Sequence, residues 1–359
     1  MNILPTRTNP LGHSFPQSIY RRLLQEQSER KNHSGNLLQR NPNCIIIGVR
    51  KCGTRALLEF LSIHPNIQIS KSEMHFFNKE HNYKKGLEWY RKEMPYTYED
   101  EITIEKTPAY FITKKVPERI YKMNQTIKLL IIFRDPTIRV ISDYTQVCHN
   151  RMAENKTCFQ FKDLVMNPMI SKVDTDYRAV DTSIYCKHLL RWLRLFPIEQ
   201  MHFVDGDILL HNPLHELRKV ETFLKLEHKF TADNFYFNST RGFYCMRNTT
   251  TERCLSSGKG RRHAKVDPHI LDNLRTFFQP YNKRLFKMIN HVCVYRCVFF
   301  LHGTLYLWLR KRLRKELFNC RLELALRLTG THNSSTGNNL EYPQTTSVPT
   351  DLYVKEETS

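Results

Sequence analysis

Between Asn43 and Ile289 short apolar runs alternate with longer stretches of helical period. An unbroken apolar run of about four to eight residues marks a strand buried on both faces, and apolar positions three and four apart mark a helix packed on one side. By this rule Cys44–Ile47, Ile67–Ile69, Ile102–Glu105, Lys128–Phe133 and Met201–Val204 are strands. Helices are predicted from Thr54 to about Ile63, with Leu57, Leu58 and Leu61 on one face, and over Val116–Met123 and Ile138–Val147. The clearest amphipathic helix is Thr182–Phe196, where Ile184, His188, Leu189, Trp192 and Phe196 share a face. Leu214–Leu224 follows, Phe235–Leu255 reads as a hairpin-like unit, and Pro268 opens a helix to Phe278. Strands and helices in turn predict an α/β domain over residues 43–290, with a central parallel sheet flanked by helices.

Residues 1–42 are polar and rich in Pro, Ser, Gln and Arg, and read as a disordered lead or stem remnant without an apolar anchor stretch. Residues 291–330 form an apolar and basic extension of helical pattern. Within it Val292–Leu309 is apolar apart from Arg296 and His302 and runs into a basic flank. A membrane-associated helix and a buried amphipathic helix both fit that stretch. Residues 331–359 are polar and expected to be disordered.

Lys plus Arg number 55 against 35 for Asp plus Glu, a formal net charge of +20. That excess draws polyanions, whether nucleic acid, acidic lipid or sulfated polysaccharide, and no nucleic-acid-binding module narrows the choice that way. The ten cysteines lack zinc-site spacing, but Cys245 and Cys254 bracket a loop short enough for a disulfide. Sequons at Asn32, Asn124, Asn155, Asn238, Asn248 and Asn333 favour the secretory pathway.

The chemistry begins at the first strand, whose end passes through Gly48, Arg50, Lys51 and Gly53 into a helix at Thr54. Strand, Gly-containing turn and helix aim backbone amides at a phosphate. A kinase P-loop places Lys and Ser/Thr after its second Gly. Here Thr54 and Arg55 follow Gly53 and the lysine precedes it, which argues against a magnesium-dependent kinase and for a phosphorylated donor handled without a metal.

Three strands end in a cation, at Arg50–Lys51, Lys106 and Arg134, where open α/β sheets bind ligands. Arg134 with Ser142 suits a second phosphate, so a nucleotide phosphorylated at both ends of its ribose fits. The basic turn Gly258–His263 would cap it. Glu73, after an extended run and before His75, Phe76 and Phe77, is the candidate base for a hydroxyl proton. His75 would orient Glu73 or the acceptor, or pack as an ordinary histidine. Asp135, Asp205 and Asp207 read as turn formers.

Together these residues resemble the heparan sulfate glucosamine 3-O-sulfotransferase family, most like its isoform 5 and isoform 1 branch. The resemblance rests on the run from Gly48 through Glu59, Glu73-x-His75-Phe-Phe77, Trp89-Tyr90, Ile104 to Phe111 and Ser142 to Gln146. Lys187-His188 with Trp192, Arg241 to Cys245 and Lys259-Gly-Arg-x-His263 complete it, covering about Asn43 to Ile289.

The resemblance implies a single P-loop-like sulfotransferase domain using 3′-phosphoadenosine 5′-phosphosulfate (PAPS) as donor. Lys51, Cys52, Gly53, Thr54, Arg55, Arg134, Ser142, Tyr244, Lys259, Gly260, Arg261, Arg262 and His263 would meet the donor. Glu73, Met74, His75, Phe76, Phe77, Asn78, Lys79, Lys106, Thr107, Pro108, Ala109 and Gln146 would meet a glucosamine of heparan sulfate. Glu73 would be the base, with His75 beside it and Lys51 and Lys106 bracing sulfonate and acceptor. It further implies a Cys245–Cys254 disulfide, no metal, and a monomer in the Golgi lumen held at the membrane. Cys52 stands where the family usually has Gly, with altered donor affinity as the expected consequence. The family's N-terminal anchor has no counterpart in residues 1–42. A non-catalytic heparan sulfate-binding protein on the same fold is the alternative reading.

Overall fold

The computed structural model describes residues 35–248, 252–256, 260–261 and 263–290. The chain divides into units 1–300 and 301–359, the second wholly outside the described residues. So are the expected helix at Val292–Leu309, the polar tail and most of the polar lead. Among the described residues no helix is long and apolar enough to cross a membrane.

Five parallel strands form the sheet: β1 (Cys44–Gly48), β2 (Ile67–Ile69), β3 (Ile102–Lys106), β4 (Lys128–Phe133) and β5 (Met201–Asp205). Their spatial order is β2-β3-β1-β4-β5, all neighbours parallel. Every β1 residue is buried, as an unalternating Cys-Ile-Ile-Ile run at the sheet centre requires. Strand order reverses about β1, so the carboxyl ends of β3, β1 and β4 open onto one switch-point crevice. At Gly48 a Cβ would lie 2.6 Å from the Phe111 Cβ, which makes glycine obligatory where the segment after β3 crosses the end of β1.

The flanking helices include α1 (Thr54–Leu61), α2 (Val116–Met123), α3 (Pro136–Ala153), α4 (Arg178–Ser183) and α5 (Tyr185–Leu193). After β5 come α6 (Gly206–His211), α7 (Pro213–Leu224), the antiparallel strands β6 (Phe235–Asn238) and β7 (Phe243–Arg247), β8 (Glu252–Arg253) and α8 (Pro268–Asn290). The strands and most helices stand where hydrophobic period placed them. Four differences have local causes. The expected single helix Thr182–Phe196 breaks at Ile184, just after the Ala179 carbonyl and Ser183 hydroxyl are taken by the buried Arg139 guanidinium. Helix α3 starts two residues early because Pro136 occupies its first turn and Asp135 caps it, accepting from Thr137 N and Ile138 N. Asp205 is more than a turn former: it caps α6 by accepting from Asp207 N and Ile208 N. Order also begins before Asn43, since Leu38–Gln39 pair antiparallel with Tyr96–Thr97.

Candidate active site

The turn after β1 takes its shape from two left-handed residues, Lys51 at φ 72° and Gly53 at φ 109°. Gly53 caps α1 and no side chain satisfies that helix start, so its first amides point into the crevice. Arg139 fixes the turn from behind. Its guanidinium is fully buried and donates to Arg50 O at 3.1 Å, Asp143 Oδ2 at 3.0 Å, Ser183 Oγ at 2.6 Å and Ala179 O at 2.6 Å. Arg50 closes the loop by donating to Asp143 Oδ1 at 2.8 Å. Burial alone would raise the Asp143 carboxyl, but Arg139 and Arg50 hold it below the usual aspartate range.

In front of this turn lies a cleft of about 430 Å³. Its lining includes the cationic or hydrogen-bonding side chains Lys51, Arg55, Arg134, Arg261, Ser142 and His263. It also includes the apolar and aromatic side chains of Phe60, Leu209, Leu210, Phe243, Tyr244 and Leu255. Cys52, Gly53, Thr54, Gln146 and Gly260 line it too, so donor residues scattered along the sequence converge on one cleft. Lys259 and Arg262 lie outside the described residues. Gln146 links both sides of the rim, its Oε1 accepting from Lys51 Nζ at 3.3 Å and Arg261 Nη1 at 2.7 Å. Asp207 anchors Arg134, accepting from its Nε at 2.7 Å. Burial, then the charges of Arg134 and Lys51, push the His263 imidazole below its ordinary value. Cys52 lines the cleft without exposing its thiol, which is buried, lies 3.5 Å from the Tyr185 hydroxyl, and is pushed up to about 11 by that burial.

The second cluster sits at the end of β3, where Lys106 registers opposite Ile46. The Lys106 side chain is nearly buried and its ammonium donates to Glu73 Oε1, while 40% of the Glu73 side chain remains exposed. His75 stands between two partners, Nε2 3.5 Å from Glu73 Oε2 and Nδ1 3.2 Å from Asn78 Oδ1. Lys79 N donates to His75 O, and Asn82 Nδ2 to Met74 O, folding the segment back on itself. Phe76, Phe77 and Thr107 are fully buried beneath it, the two rings packed with Tyr90 and Tyr110. Pro108 and Ala109 are half-buried in the following turn. One ammonium and one imidazole therefore meet at an accessible carboxylate that can accept a proton.

Cys245 and Cys254 are joined, Cα–Cα 4.5 Å, tying β7 to the segment after β8. A second disulfide, Cys148–Cys158, staples the end of α3 to the following loop and was not anticipated. Its sequence separation of 10 against 9 for the first pair is the signal that was there to read. Arg139 and Asp207 were also missed, because, Asp143 apart, their partners come from other elements. Among the described residues no His, Cys, Asp and Glu group is arranged to hold a metal ion.

Residues 41–290 match the sulfotransferase domain family. The chain is 55% identical over 262 residues to heparan sulfate glucosamine 3-O-sulfotransferase 5 of Mus musculus, covering 73% of this chain and 76% of that protein. Against the Homo sapiens protein of the same name identity is 56% over 254 residues, 70% and 73% of the two chains. Heparan sulfate glucosamine 3-O-sulfotransferase 3B1 of Homo sapiens is 43% identical over 262 residues, 72% and 66% of the two chains. The higher identity to isoform 5 agrees with the branch read from the sequence. A solved sulfotransferase from Alicyclobacillus acidocaldarius shares the fold, with TM-score 0.51 at 21% identity over 70% of this chain and 96% of that one.

Proposed function

The chain belongs to the heparan sulfate glucosamine 3-O-sulfotransferase family, and from that premise we propose that it moves the sulfonate of PAPS to the 3-hydroxyl of a glucosamine in heparan sulfate, with Glu73 as general base. The observation that carries this reading is the cleft at the switch point, whose lining combines cationic side chains suited to phosphates with apolar and aromatic ones suited to a purine. A bisphosphorylated adenosine suits those walls on chemistry. Lys51 and the amides from Gly53 to Arg55 at the start of α1 would hold the 5′-phosphosulfate, while Cys52 N, expected to join them, donates to Val49 O at 3.0 Å instead. Arg134 and Ser142 would hold the 3′-phosphate, and Phe243, Tyr244 and Leu209 would flank the base.

When bound, the donor supplies a sulfonate whose bond to the 5′-phosphate oxygen breaks as the acceptor oxygen bonds to sulfur. Glu73 takes the hydroxyl proton, with its carboxylate held and aimed by Lys106. His75 keeps Glu73 from rotating away, and Lys51 meets negative charge on the departing phosphate. Lys79, Gln146 and the basic rim are the surface offered to sulfated sugar. Two disulfides and the sequons support a luminal, oxidising compartment, which we take to be the Golgi, acting as a monomer.

The test is incubation with labelled PAPS and defined heparan sulfate oligosaccharides, followed by disaccharide analysis. Label on the glucosamine 3-oxygen is expected. Binding of the oligosaccharides without transfer would favour the non-catalytic reading.

A further inference from the structure

The segment carrying the base has no regular secondary structure between β2 and the short helix at Glu80–Tyr83, yet the backbone amides of Met74 to Phe77 are taken by one neighbouring stretch. Met74 N donates to the Glu105 carboxylate. His75 N donates to Thr107 Oγ1 at 3.3 Å, and Phe76 N to the Tyr110 hydroxyl at 3.0 Å, which Phe77 N also reaches. The Thr107 hydroxyl in turn donates to Glu105 Oε1, leaving its lone pairs for His75 N. Tyr90 donates to Glu105 Oε2 at 3.3 Å from the opposite side.

Glu105 is fully buried, and a carboxylate in that position is costly unless donors converge on it. Packing of the sheet does not call for it, since its neighbours Ile104, Tyr90 and Tyr110 are apolar in body. What it contributes is a fixed acceptor beneath the strap. His75 adopts φ 50°, a left-handed conformation that a non-glycine residue keeps only when its surroundings hold it. Alternation along the strand end then explains the division of labour: Glu105 and Thr107 face the strap backbone from one side, while Lys106 between them reaches the Glu73 carboxylate.

We infer that Glu105, Thr107 and Tyr110 form a clamp that positions the Glu73–His75 strap, making Glu105 a positioning residue for the reaction although it touches neither donor nor acceptor. The inference rests on Glu73 acting as base, and its test separates the two claims. The full chain carries Glu105→Gln, Thr107→Val or Tyr110→Phe; the last two remove one hydroxyl and keep the shape. Amide hydrogen exchange of residues 74–77 is read with kcat and with the dissociation constant for 3′-phosphoadenosine 5′-phosphate, below the melting temperature of each variant.

The clamp predicts exchange at 74–77 faster by about tenfold, from a lost hydrogen bond. It also predicts kcat lower by about tenfold or more, from a displaced base, and donor affinity within about twofold of wild type, because the donor turn hangs from Arg139 instead. Faster exchange with unchanged kcat would overturn the positioning role of Glu105, whereas turnover retained in Glu73→Gln would remove Glu73 from the base role on which the inference rests. Exchange at 74–77 unchanged in Thr107→Val and Tyr110→Phe, or raised evenly across the whole domain, would overturn the clamp.

Discussion

On the donor side, the Arg50–Gly53 turn follows directly from β1 and leads directly into α1, so strand, turn and phosphate-facing helix are contiguous in the chain. On the base side, Glu73 and His75 lie on a strap whose partners, Lys106 and Thr107, stand 33 and 32 residues away. The first half is a backbone device stiffened by one buried guanidinium. The second is a side-chain device, in which hydroxyls and a buried carboxylate replace secondary structure. The contrast teaches where each half is vulnerable: donor binding to loss of the scaffold behind the turn, turnover to loss of single hydrogen bonds under the strap.

The sharpest way to break this contrast is Arg139→Met. Removing a buried cation leaves Asp143 Oδ2 and the Arg50 carbonyl without their partner, and such losses cost about 3–5 kcal/mol. Thermal unfolding should show that loss, and calorimetry should show donor binding gone. If donor binding survived, the turn would not depend on its scaffold. Asp207→Asn probes the same side more gently. It weakens the hold on Arg134 without emptying a buried site, so 3′-phosphoadenosine 5′-phosphate should bind about tenfold more weakly, as expected for one charge-assisted hydrogen bond.

A smaller effect concerns pH. Burial and then Arg134 and Lys51 keep His263 below its ordinary value. Phosphates beside it would raise that value, so binding takes up a proton. Donor affinity should therefore rise several-fold as pH falls through the bound-state value and level off below the free-state value. His263→Asn should flatten the profile. Smallest is Cys52→Gly. Because the thiol points to Tyr185 and not into the cleft, donor affinity measured by calorimetry should stay within about twofold, the order of a glycine's added backbone freedom. A large change would mean that the thiol reaches the donor.

The same contrast explains what could be read from the chain. All five strands and the donor turn were legible because each is a local pattern: apolar runs, a Gly-bounded turn, cations at strand ends. That Lys51 and Arg134 reach one cleft also followed, since parallel sheets bring carboxyl ends together, while Lys106 stands in the Glu73 cluster. Arg139 was not legible, because a lone arginine on a helix gives no sign that it faces inward toward Arg50 and Ser183. The Ile184 break follows that same contact and was invisible for the same reason. Glu105 read as a strand-end residue beside Lys106, although its burial makes it the floor of the strap. Cys148 and Cys158 carried the same short spacing as Cys245 and Cys254, but one partner sits in a helix and the other in a loop whose path the sequence does not reveal.

The central claim, that donor and base occupy separate halves of one site, is tested most directly by single-turnover sulfonate transfer in Glu73→Gln, with donor binding measured on the same protein. The account predicts transfer slower by roughly 100- to 10,000-fold, the worth of a positioned general base, with 3′-phosphoadenosine 5′-phosphate bound as tightly as by wild type. Transfer at the wild-type rate, or donor binding lost together with transfer, would contradict it.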